Sequence, residues 1–197
     1  MANPLISICI PTYKRTDLLK KLLDSITIQT FRNFELLIND NSPDDSVETL
    51  VKTYLPVLPI SYVRNEPAVS AGVNCIKVMQ RATGDWIKVM HDDDWFATND
   101  ALAFFAEVAT NSGKDFIFCG STQVWLDADK TEDDLLTPQK KQMLDKSHFC
   151  LFYLNVIGHP SVVMHKRDPA IQYDANFNWV LDIDYYMRYF NVHPGYY

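Results

Sequence analysis

Several protein classes are excluded by what the sequence lacks. Its four cysteines, Cys9, Cys75, Cys119 and Cys150, lie far apart and include no CxxC pair. They read as reduced, mostly buried thiols of a cytoplasmic protein, with Cys9 and Cys119 inside apolar runs. No apolar run approaches the roughly 20 residues of a membrane span. The N-terminus has no basic start followed by an apolar segment, so no secretory signal is expected. Basic residues are outnumbered, with 18 Lys and Arg against 25 Asp and Glu and a net charge of −7. A chain this acidic does not grip a nucleic-acid backbone by bulk electrostatics, and no nucleic-acid partner is expected. There is no Gly/Ser linker, low-complexity tract or internal repeat, and 197 residues suit a single domain. What is present is 47% hydrophobic and 22% charged, which supports a packed core.

The first hundred residues alternate short apolar runs with helical patterns. "LISICI" reads as a buried strand ended by Pro11. A helix follows with Thr16 as its N-cap. Leu18, Leu22 and Ile26 form its inner face, with Leu19 and Leu23 beside them. "FELLIND" is a second strand. Asp44 and Asp45 then fall in the first turn of a helix carrying Val47, Leu50, Val51 and Tyr54 inward. "PISYV" is a third strand, residues 71–82 a helix, and "DWIKVM" a fourth strand. Leu102, Phe105, Ala106 and Ala109 mark a helix closed by Gly113, and "DFIFCG" is a fifth strand. Residues 127–134 read as an acidic loop. A helix over 139–148, a short strand "SVVMH" and a final helix "NWVLDIDYYMRYF", with Ile183, Tyr186 and Phe190 inward, complete the chain. It stops at "HPGYY" without a finished element, as a piece of a longer protein would. The alternation implies an α/β fold with parallel strands and right-handed crossovers. In such a sheet the ligand lies beyond the carboxyl ends of the strands.

The residues at those ends are therefore candidates. "WIKVMHDDDW" ends the fourth strand on Asp92, Asp93 and Asp94. Adjacent carboxylates repel, and Mg²⁺ or Mn²⁺ would relieve the repulsion while holding a diphosphate. The alternative is an acidic turn in solvent. "PTYKR" offers the Thr12 hydroxyl, the Tyr13 ring and the cations Lys14 and Arg15, which suit a base and a phosphate or form a surface loop. Asp40 either accepts from a nucleobase N–H or closes an Asx-type turn with Asn41 and Ser42. Arg64, Asn65 and Asn74 either reach the same crevice or face solvent. His91 reads as leading into the acidic run. His159 is placed to line an acceptor pocket. Trp86, Trp95, Trp125 and Trp179 read as core, although Trp95 and Trp179 flank the site and would stack on a sugar.

"IPTYKR", then "QTFRNFELLINDNSPDDS", then "GDWIKVMHDDDW", and later "LDIDYYMR", resemble glycosyltransferase family 2 in order and spacing. The resemblance implies the GT-A fold, a Rossmann-like nucleotide-diphospho-sugar transferase fold with a mainly parallel central sheet flanked by helices. It implies one catalytic domain, with residues 1–97 as the nucleotide-sugar half and 98–197 as the acceptor half. It further implies an inverting transfer from a nucleotide sugar, usually UDP-linked, with Mn²⁺ or Mg²⁺ as cofactor. By it Thr12, Tyr13 and Asp40 would contact the uridine; Arg15, Arg64 and Asn74 join them as nucleotide-sugar-binding candidates from their places near the strand ends. Asp94 would be the metal ligand, Asp92 and Asp93 would meet the ribose or the hydrated metal, and Asp182 would be the catalytic base. Leu181 stands where the family usually has Glu. The acceptor would be a carbohydrate or lipid-linked saccharide of bacterial surface polysaccharide synthesis, with peripheral membrane association. Asp184 would pair with Arg188 at i, i+4. Among competing readings, a nucleotidyltransferase would want a glycine in "PTYKR". A receiver domain would want a Lys after the fifth strand, where "GSTQVW" has none. An inactive nucleotide-sugar-binding fragment is a further alternative.

Overall fold

The computed structural model describes residues 5–177 and 179–197. Its core is a six-stranded sheet in the order β3-β2-β1-β4-β8-β5. The strands are β1 Ile6–Thr12, β2 Phe34–Asp40, β3 Ile60–Arg64, β4 Trp86–Val89, β5 Phe116–Phe118 and β8 Val163–Lys166. β1 pairs in parallel with β2 and β4, and β2 with β3, as the alternation predicts. β8 runs antiparallel between β4 and β5, so the sheet is mainly rather than wholly parallel.

Helices cover both faces. On one side α1 (Thr16–Thr27), α2 (Ser46–Tyr54) and α4 (Ala101–Asn111) bury Leu19, Leu22, Leu23, Ile26, Val47 and Phe105 against Ile6, Ile8, Ile10 and Ile38. On the other, α3 (Ala71–Gln80), α5 (Pro138–Lys146) and α6 (Leu181–Val192) pack Val78, Leu144, Tyr185, Tyr186 and Tyr189 against Cys9, Leu37, Ile87 and Val89. Successive strand residues point to opposite faces, which is why neighbours in one strand enter different cores.

Several expectations shift. Pro11 does not end β1 but pairs opposite Asn39. Its missing N–H lies on the β4 side, where pairing already stops at Cys9–Val89, so no ladder bond is lost. Thr16 is the first helical residue of α1 and Arg15 holds the cap position. Asp44 and Asp45 precede α2; the Asp44 carboxylate accepts from the Ser46 N–H at 3.0 Å. Residues 127–134 are not all loop. β6 (Ser121–Trp125) and β7 (Lys130–Asp134) form an antiparallel hairpin. Cys119 and Trp125 are exposed rather than core. Trp179 is 84% exposed. The last helix starts at Leu181, its buried face centres on Tyr185, Tyr186, Tyr189 and Phe190, and Ile183 is half-buried. Asn178, placed in that helix by the pattern, lies outside the described residues.

Candidate active site

A cavity of about 930 Å³ opens past the carboxyl ends of β1 and β4. Pro11, Thr12, Tyr13, Arg15, Asn74, His91, Asp92 and Asp93 line one wall. His159, Tyr173, Trp179, Leu181 and Asp182 line the other.

The first wall is a closed hydrogen-bond network. Asp92 is 1% exposed, and its Oδ2 accepts from the Thr12 hydroxyl at 2.7 Å and the Tyr13 N–H at 3.1 Å. Arg15 reaches Asp92 Oδ1 at 2.9 Å and Asp93 Oδ2 at 2.5 Å. Burial lifts the Asp92 pKa above the usual carboxylate range, even with those donors and Arg15 pulling it down. Asn74 is buried at the same corner. Its amide donates to the Thr12 and Asn39 carbonyls at 3.4 and 3.1 Å, and its Oδ1 accepts from Asn65 at 2.7 Å. It ties together the ends of β1 and β2 rather than facing solvent.

Three predicted residues are outside the cavity lining: Asp40, Arg64 and Asp94, the last lying beside the lining residues His91 and His159. Asp40 is fully buried, with one oxygen accepting the Ser42 N–H and the other the Tyr62 hydroxyl, both at 2.8 Å. This is the Asx-type turn, and it leaves the Asp40 carboxylate buried away from the cavity. Arg64 pairs with Asp45 at 2.5 Å and Glu66 at 3.0 Å, outside the lining. Trp95 is also off the wall; Lys21 Nζ sits 5.3 Å above its ring centre.

Asp94 meets two histidines. His159 Nδ1 lies 3.3 Å and His91 Nδ1 3.9 Å from Asp94 Oδ2. Ligand atoms of the three residues lie within 4.8 Å of one another. Burial alone would raise the Asp94 pKa, but the His159 and Ser161 side chains hold it below the ordinary value. Burial pushes His91 down, toward the neutral imidazole that binds metals. His159 Nδ1 is buried with no aligned hydrogen-bond partner among the described residues. An orphaned imidazole nitrogen beside an ionised carboxylate fits a divalent cation. The mixed nitrogen and oxygen set suits Mn²⁺ better than Mg²⁺, which prefers oxygen alone. The sequence singles out Asp94; it reads His91 only as leading into the acidic run and His159 as lining the acceptor pocket, and the fold brings both histidines to Asp94.

The second wall begins at α6. Val180 adopts a left-handed backbone, φ 59°, which is costly for a β-branched residue. Leu181 then packs on α3: a Cβ on Gly72 would stand 3.1 Å from Leu181 Cδ2. Asp182 faces the cavity, and its Oδ2 accepts from Asn155 Nδ2 at 3.3 Å. Asn155 was not anticipated. Asp184 and Arg188 form the expected pair at 2.5 Å, and Arg188 also donates to the Gln172 carbonyl at 2.7 Å.

A family profile described as Glycosyl transferase family 2 matches residues 7–154. The chain belongs to glycosyl transferase family 2. The match carries the Thr12–Arg15 turn, the Asp92–Asp94 run and the hairpin, and ends just before Asn155. Among curated family relatives, the abequosyltransferase RfbV of Salmonella typhimurium is 29% identical over 195 residues. That alignment covers 88% of this chain and 56% of RfbV. An uncharacterized glycosyltransferase of Rickettsia prowazekii is 25% identical, over 99% of this chain and 61% of that protein. The chain thus spans little more than half the length of these relatives. Among solved structures, S. aureus TarS 1-349 in complex with UDP superposes with a TM-score of 0.72. It shares 16% identity over 97% of this chain and 56% of TarS 1-349. The mannosyltransferase PcManGT from Pyrobaculum calidifontis, in complex with GDP-Man and Mn²⁺, superposes at 0.60 with 18% identity, over 85% of this chain and 46% of that one. At these identities the likeness establishes the shared fold, the GT-A arrangement of a mainly parallel sheet between helices.

Proposed function

We propose that this chain is the catalytic domain of a metal-dependent, inverting glycosyltransferase that moves a sugar from a nucleoside-diphosphate donor, UDP-linked, to a hydroxyl acceptor. The observation that carries this reading is the cavity itself. It sets the Thr12–Arg15 turn and Asp92–Asp93 against Asp182, with the Asp94–His91–His159 cluster at the foot of β4. Residues 1–97 supply the first wall and residues 98–197 the second.

The Tyr13 ring, 49% exposed, offers a face to the base, and Arg15 offers a fork to phosphate once it leaves Asp93. Asp94, His91 and His159 would hold Mn²⁺. When bound, the ion offsets the negative charge that gathers on the leaving diphosphate. Asp182 takes the proton from the acceptor hydroxyl. The hydroxyl oxygen bonds to the anomeric carbon as the carbon–phosphate oxygen bond breaks, and attack from the opposite face inverts that centre. Asn155 holds the Asp182 carboxylate in orientation. Trp179 presents an open ring for an acceptor sugar.

The UDP complex of TarS favours UDP as the nucleotide, and the family resemblance favours a bacterial surface saccharide as acceptor. No helix among the described residues is long and apolar enough to cross a membrane. We assign the domain to the cytoplasm, meeting a lipid-linked acceptor peripherally.

The test gives purified protein a panel of nucleotide sugars with Mn²⁺ or Mg²⁺ and follows release of nucleoside diphosphate. Turnover with a UDP-sugar supports the proposal. Donor binding without turnover would mark an inactive binding domain, and no binding across the panel would reject both readings.

A further inference from the structure

Lys88 sits in the middle of β4, fully buried, and the cavity does not need it. Burying an ammonium is costly unless its donors are used. Its Nζ lies over the rings of Phe105 and Phe96, 4.7 and 5.9 Å from their centres. A methionine or leucine would fill that space more cheaply. Burial pushes the Lys88 pKa down to about 8.

The ammonium is spent on one segment. Nζ donates to the carbonyl of Ser161 and, at 3.3 Å, to that of Val163. Backbone pairing between β4 and β8 ends at Ile87–His165. Beyond that point Lys88 makes the link the ladder no longer makes. The second link is the His91 N–H, which donates to the Ser161 hydroxyl at 2.8 Å. Ser161 is two residues from His159, and His91 and Asp94 follow Lys88 on the same strand end. The spacing of the His91–Asp94–His159 cluster thus depends on how the segment 159–163 is held against β4.

We infer that Lys88 is a positioning residue: its buried ammonium pins the His159–Val163 segment to β4 and sets His159 against Asp94 for cation binding. The inference rests on the reading of that cluster as a cation site. Partners that orient metal ligands typically change affinity by about 10- to 100-fold when removed.

The test measures Mn²⁺ affinity by calorimetry in the wild-type chain, in Lys88→Met, in His159→Ala and in the double variant. UDP affinity in EDTA is the control. Lys88→Met should weaken Mn²⁺ at least about tenfold and leave UDP binding in EDTA within about twofold. In the His159→Ala background it should add less than about twofold, because the segment no longer carries a ligand to place. Wild-type affinity for Mn²⁺ in Lys88→Met, or an undiminished loss in the His159→Ala background, overturns the inference while leaving the cation site intact. Absence of Mn²⁺ binding by the wild-type chain overturns both. If Lys88→Met does not fold, Lys88→Gln carries the same comparison. Failure of both to fold assigns Lys88 to stability alone and ends the positioning role.

Discussion

The two walls of the cavity are built differently. On the wall from β1 and β4 the buried polar side chains are engaged: Asp92 accepts from Thr12 and Tyr13 and pairs with Arg15, and Asn74 bridges two strand ends. On the α6 wall, among the described residues, Asp182 accepts one hydrogen bond, at 3.3 Å from Asn155, and Trp179 stands 84% exposed behind a left-handed Val180. A prebuilt wall suits a ligand part that never varies, and a wall whose carboxylate is held by a single long hydrogen bond suits a group that must accept a proton and adapt to its partner. The difference matches the proposed division, with the nucleotide on the first wall and chemistry on the acceptor at the second.

The sharpest way to break that division is Asp182→Asn. Turnover should fall about a thousandfold, within the range of a lost general base, while UDP affinity with Mn²⁺ stays within about twofold. Equal losses in both would merge the walls into one.

The walls should also differ in how their supports respond to acid. Behind α6, His165 is buried beside the Tyr185 hydroxyl, and burial lowers its pKa to about 4. An unfolded histidine titrates near 6.5, so as pH falls from there toward 4 the unfolded chain takes up a proton that the folded one refuses. The stability is fully present above about pH 6.5 and is lost over that window, by about 3 kcal/mol. Urea unfolding at pH 7 and pH 4.5 measures it, and His165→Phe should flatten the difference. An unchanged slope in that variant would place the acid sensitivity elsewhere.

A smaller effect should separate the walls by ligand. Trp179→Ala should raise the acceptor KM about fivefold, the scale of one stacking contact, with UDP affinity unchanged. The smallest is Arg64→Ala. Its guanidinium is committed to Asp45 and Glu66 outside the cavity, so UDP affinity should shift by less than about twofold, as for a surface ion pair. A tenfold loss would return Arg64 to the donor site.

These contrasts also show what was legible before the fold was known. β1, β2 and β4 stand out because strands buried on both faces are continuous apolar runs, and their ends located the candidate cavity. The hairpin did not: β7 reads "KTEDD", with no buried face and no apolar alternation to betray it. Asp40 and Arg64 stood at strand ends, but position does not reveal that Tyr62 and Ser42 tie down Asp40 and that Asp45 and Glu66 hold Arg64 outside the lining. His91 looked like a lead-in to the acidic run, since its approach to Asp94 and His159 depends on a loop seventy residues away folding back. Lys88 lay inside an apolar run, where a single charge has no periodic signature. Asp182 and the Asp184–Arg188 pair were separable in advance because i, i+4 spacing puts the second pair on one helix face.

The most direct test of the two-wall account is a crystal structure with UDP and Mn²⁺. The account predicts an anomalous Mn²⁺ peak among Asp94, His91 and His159, the nucleotide against Thr12–Arg15, and Asp182 free of both. Nucleotide seated on the Trp179 wall, or Mn²⁺ bound at Asp182, would contradict it.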